Sequence, residues 1–236
     1  METYQEFLYR INSFQKEKLE LYSDCFHPNL SVQNKVNEDN SFKTFYGDTV
    51  VFDLDDEIKR KVADIIDTLY TESAECFCEK IISNTIHMTL HDLSNSPSLS
   101  DISQDMFNNE VNIINNSSSI QIKSKTNKMR TKFIFNMVNT SLVLGLYPIN
   151  EEEYAKLMVL YDSIDKIKSL PYPFTPHITL AYYNRFGFSE NSKRKLETVV
   201  NSLNKESFLI ELNTDNLYYQ KFTNMNNYIN IFKIIP

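Results

Sequence analysis

The spacing of apolar residues changes along the chain and predicts helices in several places. In residues 3–22 apolar side chains recur at steps of three and four, with Gln, Glu and Lys between them, which is typical of an amphipathic helix. The periodicity is then lost from Ser23 to Phe45, so residues 1–46 are predicted to be an accessory helix and loop. The helical spacing returns in four later segments. The first begins at about Asp55, and the other three cover about 102–114, 151–168 and about 190–204.

Other segments are short and rich in β-branched and aromatic residues, which favours strands. The first follows Gly47 and covers Asp48–Leu54. Two runs around Asn139-Thr140 predict an antiparallel hairpin. The further predicted strands lie at about Cys76–Ile82, Ser207–Asn213, Asn216–Thr223 and Tyr228–Ile235. The chain therefore mixes helices with antiparallel strands.

One tetrapeptide, His-x-Thr-Leu, occurs twice, at His87 and at His177, each time among strand-favouring residues. Alternation along a strand places every second side chain on one face. The predicted face of the first strand carries His87, Thr89 and His91, opposite Met88, Leu90 and Asp92. That of the second carries His177, Thr179, Ala181 and Tyr183, opposite Ile178, Leu180 and Tyr182. Each strand would present an imidazole beside a hydroxyl.

Two imidazoles and two hydroxyls that face each other suit a phosphodiester. Histidine can act as general base or general acid near neutral pH, and threonine hydroxyls can donate hydrogen bonds to phosphate oxygens. Which of His87 and His177 is the base remains open. A single motif of this kind is usually an ordinary strand, whereas the matched pair favours catalysis by His87, Thr89, His177 and Thr179.

The paired motifs resemble those of the 2H phosphoesterase superfamily, which includes RNA 2′,3′-cyclic phosphodiesterases and bacterial RNA-ligase-like proteins. The resemblance implies an α+β, bilobal fold in residues 47–236, with two pseudo-symmetric antiparallel sheets lining a central cleft and helices outside. It implies a hydrolase for cyclic or 2′–5′ linked nucleotide phosphodiesters that needs no metal or cofactor. RNA-ligase-like members often have arginine where this chain has Tyr182, so the RNA substrate class is in doubt.

The charge and composition of the chain limit the partners that we expect. The formal net charge is −7, which does not suggest a large basic surface for a long nucleic acid. Small nucleotides or short oligonucleotides are the expected substrates. Three cysteines without a metal-binding pattern indicate reduced thiols, and no secretory leader or membrane span is recognised. We therefore expect a cytoplasmic monomer without a membrane partner.

Several residues have two interpretations from the sequence alone. His91 and Tyr183 share the predicted faces of the motifs and could contact substrate, Tyr183 by stacking on a base. His91 could instead adjust His87 or face solvent at an edge position. The polar insertion at about 94–132 ends in a basic cluster that could border the cleft or only be solvated. Asp53, Asp55 and Asp56 suit the start of a helix better than a metal site. The basic cluster at the end of the insertion comprises Lys123, Lys125, Lys128, Arg130 and Lys132.

A different class of function remains open. The same cleft could bind nucleotides or oligonucleotide ends with slow or absent turnover, as a sensing module does. The helix in residues 3–22 and the insertion at 94–132 would then be partner surfaces. Stabilisation of the protein by a nucleotide that is not consumed would favour this alternative.

Overall fold

A computed structural model describes residues 2–22, 24–117, 120 and 124–234, and these form an α+β fold. The helices are α1 (Tyr4–Phe14), α2 (Asp56–Ser73), α3 (Leu99–Asn116), α4 (Glu151–Asp165) and α5 (Glu190–Leu203). The strands up to the second motif are β1 (Tyr46–Asp53), β2 (His87–Ser96), β3 (Thr126–Met137), β4 (Ser141–Pro148) and β5 (His177–Tyr182). The last three are β6 (Leu209–Asn213), β7 (Leu217–Asn224) and β8 (Asn227–Lys233).

All eight strands belong to one antiparallel sheet in the order β6-β3-β4-β5-β2-β1-β7-β8. The α+β prediction is confirmed, but the sheet is continuous where two separate sheets were expected. The reason is local: β2 and β5 meet at a single paired position, Met88 with Ile178, and this contact joins the two halves. Both side chains are fully buried, so the junction also belongs to the core.

The two halves of the sheet are built alike. In one half β1 leads through α2 to β2, and β1 then pairs with β2. In the other half β4 leads through α4 to β5, and β4 pairs with β5. Each motif strand is therefore the inner strand of its own half. The two His-x-Thr-Leu segments consequently lie side by side at the centre of the sheet.

The N-terminal segment departs from its prediction. The predicted helix covers residues 3–22, whereas α1 ends at Phe14 and Gln15 is extended. Beyond it, Leu19 and Leu21 are buried in the main core, and side chains of α5 satisfy their backbone N–H groups. Because an extended segment can bury both leucines against α5, tertiary packing overrides the helical spacing.

The predicted strand at Cys76–Ile82 is also wrong. This segment is a short 3-10 turn and a loop, and it joins the sheet only through an isolated bridge between Phe77 and Tyr183. Cys76, Phe77 and Cys78 are all buried, so the alternation of a half-exposed strand is absent.

The other predicted helices and strands are present, mostly with boundaries shifted by a few residues. The exception is β3, which begins at Thr126 and so takes in the end of the predicted polar insertion. The predicted end of the last strand, Ile235, lies outside the described residues.

The insertion at 94–132 is tied into the fold by a buried carboxylate. Asp48 in β1 accepts hydrogen bonds from the Ser94 N–H, the Asn109 amide and the Tyr219 hydroxyl, at 2.8, 3.0 and 2.9 Å. Asn109 belongs to α3, and Asp48 therefore connects the insertion to β1, β2 and β7. Among the described residues, no helix has both the length and the apolar character needed to cross a membrane.

Candidate active site

The two motif histidines are held in the same way at the start of their strands. The Nδ1 atom of His87 lies 2.7 Å from the Thr85 carbonyl oxygen, and that of His177 lies 2.7 Å from the Thr175 carbonyl oxygen. A carbonyl oxygen only accepts hydrogen bonds, so Nδ1 must carry a proton in both rings. Nε2 is then the nitrogen that can gain or lose a proton in each.

Both motif threonines line the same cleft as the histidines. Thr89 and Thr179 are half-buried and stand two residues beyond His87 and His177 on the same strand faces. Within the described parts of the chain, neither hydroxyl has a hydrogen-bond partner. Two hydroxyl donors and two Nε2 atoms are therefore available to a bound anion.

A β-bulge at the leucine of each motif reverses the strand face beyond it. In β2, Thr89 pairs with Val51 and His91 with Val50, so Leu90 is the extra residue. The bulge turns Asp92, which simple alternation places on the opposite face, towards the cleft. Sequence reasoning therefore missed Asp92.

The second motif has the same irregularity. In β5, Thr179 pairs with Val143 and Ala181 with Leu142, which makes Leu180 the extra residue. Tyr182 consequently lines the cleft, where alternation predicts that it faces the core. Two matching bulges could not be found from hydrophobic alternation alone.

The same bulge removes Tyr183 from the cleft, and its predicted place there is wrong. Tyr183 is 0% exposed, and its ring lies 4.4 Å from that of Phe26 and 6.1 Å from that of Phe77. It therefore contributes to the core and cannot stack on a base. Tyr182 is the aromatic residue of β5 that a ligand can reach.

His91 lies in the wall of the cleft, but its ring is not available to a ligand. Its side chain is 0% accessible, with Nδ1 2.5 Å from the Asp92 carbonyl oxygen and Nε2 3.1 Å from Asp165 Oδ1. The ring also packs at 5.0 Å against Tyr161. Because both nitrogens are already used, His91 positions the backbone next to Asp92.

The cleft has a volume of about 600 Å³, and several aromatic rings contribute to its wall. Tyr228 lies edge-on to His87, with ring centroids 4.9 Å apart, and packs at 5.1 Å against Phe222. Tyr172 lines the cleft and donates a long hydrogen bond to the Asp92 carboxylate. Clefts of roughly 300–1,000 Å³ accommodate small organic ligands.

Burial and neighbouring charges act in opposite directions on the two histidines. Burial lowers the pKa of His87, and the Thr85 carbonyl and the carboxylates of Asp92 and Asp53 oppose this, while a charge on His177 lowers it further. Burial also lowers the pKa of His177, against its own backbone hydrogen bond and Asp92. Asp92 therefore favours the protonated form of both rings.

The N-terminal segment also reaches the cleft. Arg10 in α1 pairs with Glu2 and donates hydrogen bonds to the Phe174 carbonyl and the Thr175 hydroxyl, at 2.8 and 3.1 Å. These bonds hold the segment that leads into the second motif. Lys35, from the loop after α1, lines the cleft as well. No sequence pattern identified either residue.

The basic cluster does not border the cleft in the described part of the chain. Lys125, Lys128, Arg130 and Lys132 belong to or precede β3, and none of them lines the cleft. Lys125 and Lys128 instead lie near Asp215 and Glu211. Lys123 lies outside the described residues. The hypothesis that these four side chains meet substrate is therefore wrong.

The acidic residues after β1 have structural partners. Asp53 pairs with Lys59 at 2.5 Å, and Asp55 caps α2 by accepting a hydrogen bond from the Ile58 N–H. Across the described residues, no group of three or more His, Cys, Asp or Glu side chains is arranged to hold a metal ion.

Comparisons with known proteins show a shared fold. The sequence matches no protein-family model and no curated protein. The structure is similar to that of ATU0111, a conserved protein of unknown function from Agrobacterium tumefaciens. The TM-score is 0.64 with 13% identity, and the match covers 89% of this chain and 94% of that chain. This similarity places the chain in the same fold as ATU0111.

Two further solved structures show a weaker similarity. LigT of E. coli, solved in complex with 3′-AMP, has a TM-score of 0.48 and 14% identity, over 80% of this chain and 96% of that chain. TT0787 of Thermus thermophilus has a TM-score of 0.48 and 9% identity, over 79% of this chain and 95% of that chain.

Proposed function

We propose that this protein is a member of the 2H phosphoesterase superfamily and hydrolyses small cyclic or 2′–5′ linked nucleotide phosphodiesters. The observation that carries the proposal is the matched pair of histidines in one cleft. Each ring has its Nδ1 proton fixed by a carbonyl two residues earlier, and each is followed by a threonine whose hydroxyl has no hydrogen-bond partner among the described residues. The reaction needs a base, an acid and donors to the phosphate, and these residues supply all three.

The two histidines divide the proton transfers between them. One neutral ring accepts a proton from the attacking water at Nε2, while the water oxygen forms a bond to phosphorus. The other ring is protonated, and its Nε2 donates a proton to the leaving oxygen as the phosphorus–oxygen bond breaks. A charge on His177 lowers the pKa of His87, which favours a state in which only one of the two Nε2 atoms is protonated. Either ring can take either role.

The remaining residues of the site bind the phosphate and adjust the protons. Thr89 and Thr179 donate to the non-bridging oxygens, where negative charge grows in the transition state. Asp92 raises the proton affinity of both rings against the effect of burial. The mechanism assigns no step to a metal ion.

The shape of the cleft supports a small substrate. Its volume of about 600 Å³ suits a nucleotide or a short oligonucleotide end better than a duplex. The exposed ring of Tyr172 and the half-buried ring of Tyr182 line the cleft and offer stacking surfaces for a base. The acidic net charge of −7 agrees with a substrate that needs no extended basic surface.

The test is product release from 2′,3′-cyclic nucleotides, 3′,5′-cyclic nucleotides and 2′–5′ linked dinucleotides in the presence of EDTA. Wild type should turn over at least one class, and His87→Ala and His177→Ala should each lose activity by at least about 10²-fold with unchanged folding. His27→Ala, at an exposed position outside the cleft, is the control. Wild-type rates in both motif variants would refute the mechanism. Absent turnover, with stabilisation by unconsumed nucleotide, would support the binding module instead.

A further inference from the structure

Lys35 is a positive charge in the cleft that the proposed reaction does not use. Besides histidines, the charged side chains that line the cleft in the described chain are Arg10, Lys35 and Asp92. The Arg10 guanidinium is already occupied by Glu2 and by the backbone and hydroxyl groups before the second motif. Asp92 is an anion. Of these three side chains, Lys35 is therefore the one whose positive charge is available to bind an anionic group of a ligand.

The Lys35 side chain is held between two aromatic rings. Its Nζ atom lies 4.9 Å from the centre of the Tyr182 ring and 5.2 Å from that of Phe45. Cation–π contacts of this kind orient an ammonium group without neutralising its charge. No carboxylate among the described residues lies within ion-pair distance of Nζ. The Lys35 ammonium group is therefore held in place, but no carboxylate of the described residues neutralises its charge.

The backbone of Lys35 is fixed as well. Its N–H donates to the Val32 carbonyl at 2.9 Å, and its carbonyl accepts from the Lys43 N–H at 2.8 Å. The half-buried side chain therefore extends from an anchored loop. A preorganised cation of this kind loses little freedom when it binds an anion.

Lys35 is also displaced from the place of reaction. It lies over Tyr182, which is two paired positions beyond Thr179 on β5 because Leu180 is the bulged residue, and two positions span about 7 Å along a strand at about 3.3 Å per residue. A row of aromatic rings also leads from Lys35 to His87. The rings in this row are Phe45, Phe222 and Tyr228, each in contact with the next. A phosphate held by the motif threonines would thus be separated from Lys35 by a stretch of aromatic wall.

We propose that Lys35 binds a second phosphate group of the substrate, so that the preferred substrate carries a phosphate in addition to the diester that is cleaved. The proposal rests on the proposed function for the identity of the first phosphate. A nucleoside between the two phosphates would lie against the aromatic wall. The substrate class is therefore a cyclic or 2′–5′ linked nucleotide with a further phosphate on the other side of its ribose.

The test compares ligands with and without the second phosphate. Binding of adenosine 2′-phosphate and adenosine 2′,5′-bisphosphate is measured by calorimetry, and turnover is measured with adenosine 2′,3′-cyclic phosphate with and without a 5′-phosphate. Wild type should prefer the doubly phosphorylated member of each pair by about tenfold, which corresponds to about 1.4 kcal/mol. Lys35→Ala should remove this preference by weakening the doubly phosphorylated ligands about tenfold more than the singly phosphorylated ones, whereas Lys35→Arg should keep most of it.

A matched control is Lys61→Ala, because Lys61 also lies over an aromatic ring, at 5.7 Å from Phe208, but outside the cleft. It should retain the wild-type preference. The inference is overturned if wild type shows no preference, or if Lys35→Ala weakens both members of each pair equally. The binding arm does not depend on turnover. A protein that cleaves none of the substrates but shows the Lys35-dependent preference would refute the proposed function and retain the second phosphate site.

Discussion

Asp92 and Tyr182 occupy the same position in the two halves of the sheet. Each lies five residues after its motif histidine, and each is turned into the cleft by a bulge at the leucine of the motif. The halves therefore share a backbone but differ in chemistry at this point. One half presents a carboxylate, and the other presents an aromatic ring with Lys35 over it.

Replacing Asp92 should shift the pH dependence of the proposed reaction. The carboxylate raises the pKa of His87 and of His177, and Asp92→Asn removes this effect. Both limbs of the pH profile of kcat/KM should then move to lower pH, since the base and the acid each lose protons more easily. The measurement is kcat/KM from about pH 5 to pH 9.

Asp92→Glu and Asp67→Asn are the controls for this shift. The first keeps a carboxylate, and the second removes one that pairs with Lys80 outside the cleft. In both variants the two limbs of the pH profile of kcat/KM should lie at the same pH as in wild type, to within the error of the measurement. An unmoved profile in Asp92→Asn would show that this carboxylate does not act on the histidines.

Removing one motif hydroxyl should reduce catalysis without affecting folding. Thr179→Val keeps the shape of the side chain but cannot donate to a phosphate oxygen. A hydrogen bond to a charged group contributes about 1.5–3 kcal/mol, so kcat/KM should fall by about 10- to 100-fold. Thr198→Val, on the exposed side of α5, should leave kcat/KM unchanged. Wild-type kinetics in Thr179→Val would show that the Thr179 hydroxyl does not contribute to catalysis.

Arg10 is expected to act on catalysis through the second motif. Its guanidinium holds Thr175 and Phe174, and the Thr175 carbonyl fixes the tautomer of His177. Arg10→Ala should therefore lower kcat by about tenfold, because small displacements of a catalytic group reduce the rate strongly. The kinetics are compared with those of Glu2→Gln, which leaves the bonds of Arg10 to residues 174 and 175 in place. Equal kinetics in the two variants would contradict this role.

Stability should decrease towards acidic pH because both motif histidines are half-buried in the cleft, where partial loss of solvent disfavours their charged form. Burial lowers their pKa in the folded protein, whereas the unfolded chain has the ordinary value of about 6.5. The unfolded state then binds more protons, so the free energy of unfolding falls as the pH falls through about 6.5 and levels off below the folded pKa.

Urea unfolding between about pH 5 and pH 8 measures this dependence. The double variant His87→Ala/His177→Ala should lose most of the decrease that wild type shows. His27→Ala should keep it, because His27 is exposed. A double variant with an unchanged pH dependence would assign the decrease to other groups.

Gly145 and Gln15 form a close contact that should limit substitution. A Cβ atom at Gly145 would lie 2.3 Å from the Gln15 side-chain oxygen, and Gln15 is only 2% exposed. Gly145→Ala should therefore lower the free energy of unfolding by about 1–3 kcal/mol through overpacking. In the background of Gln15→Ala the same substitution should cost much less. Equal costs in both backgrounds, measured by urea unfolding, would exclude this contact as the cause.

Much of the fold follows from local patterns in the sequence. Helices α2, α4 and α5 have apolar stripes long enough to be predicted, and the hairpin of β3 and β4 follows from two strand-like runs around a short polar turn. The repeated His-x-Thr-Leu identified the four side chains that the structure brings to one cleft. Those predictions succeeded because each depends on residues that are close together in the chain.

The sequence by itself determined the two histidines and two threonines of the cleft, because alternation holds from His87 to Thr89 and from His177 to Thr179. Tertiary structure alone decided what lies beyond them. One extra residue in each strand reverses the face, so that Asp92 and Tyr182 enter the cleft. Lys35 and Arg10 reach it from distant segments through packing that no local pattern encodes.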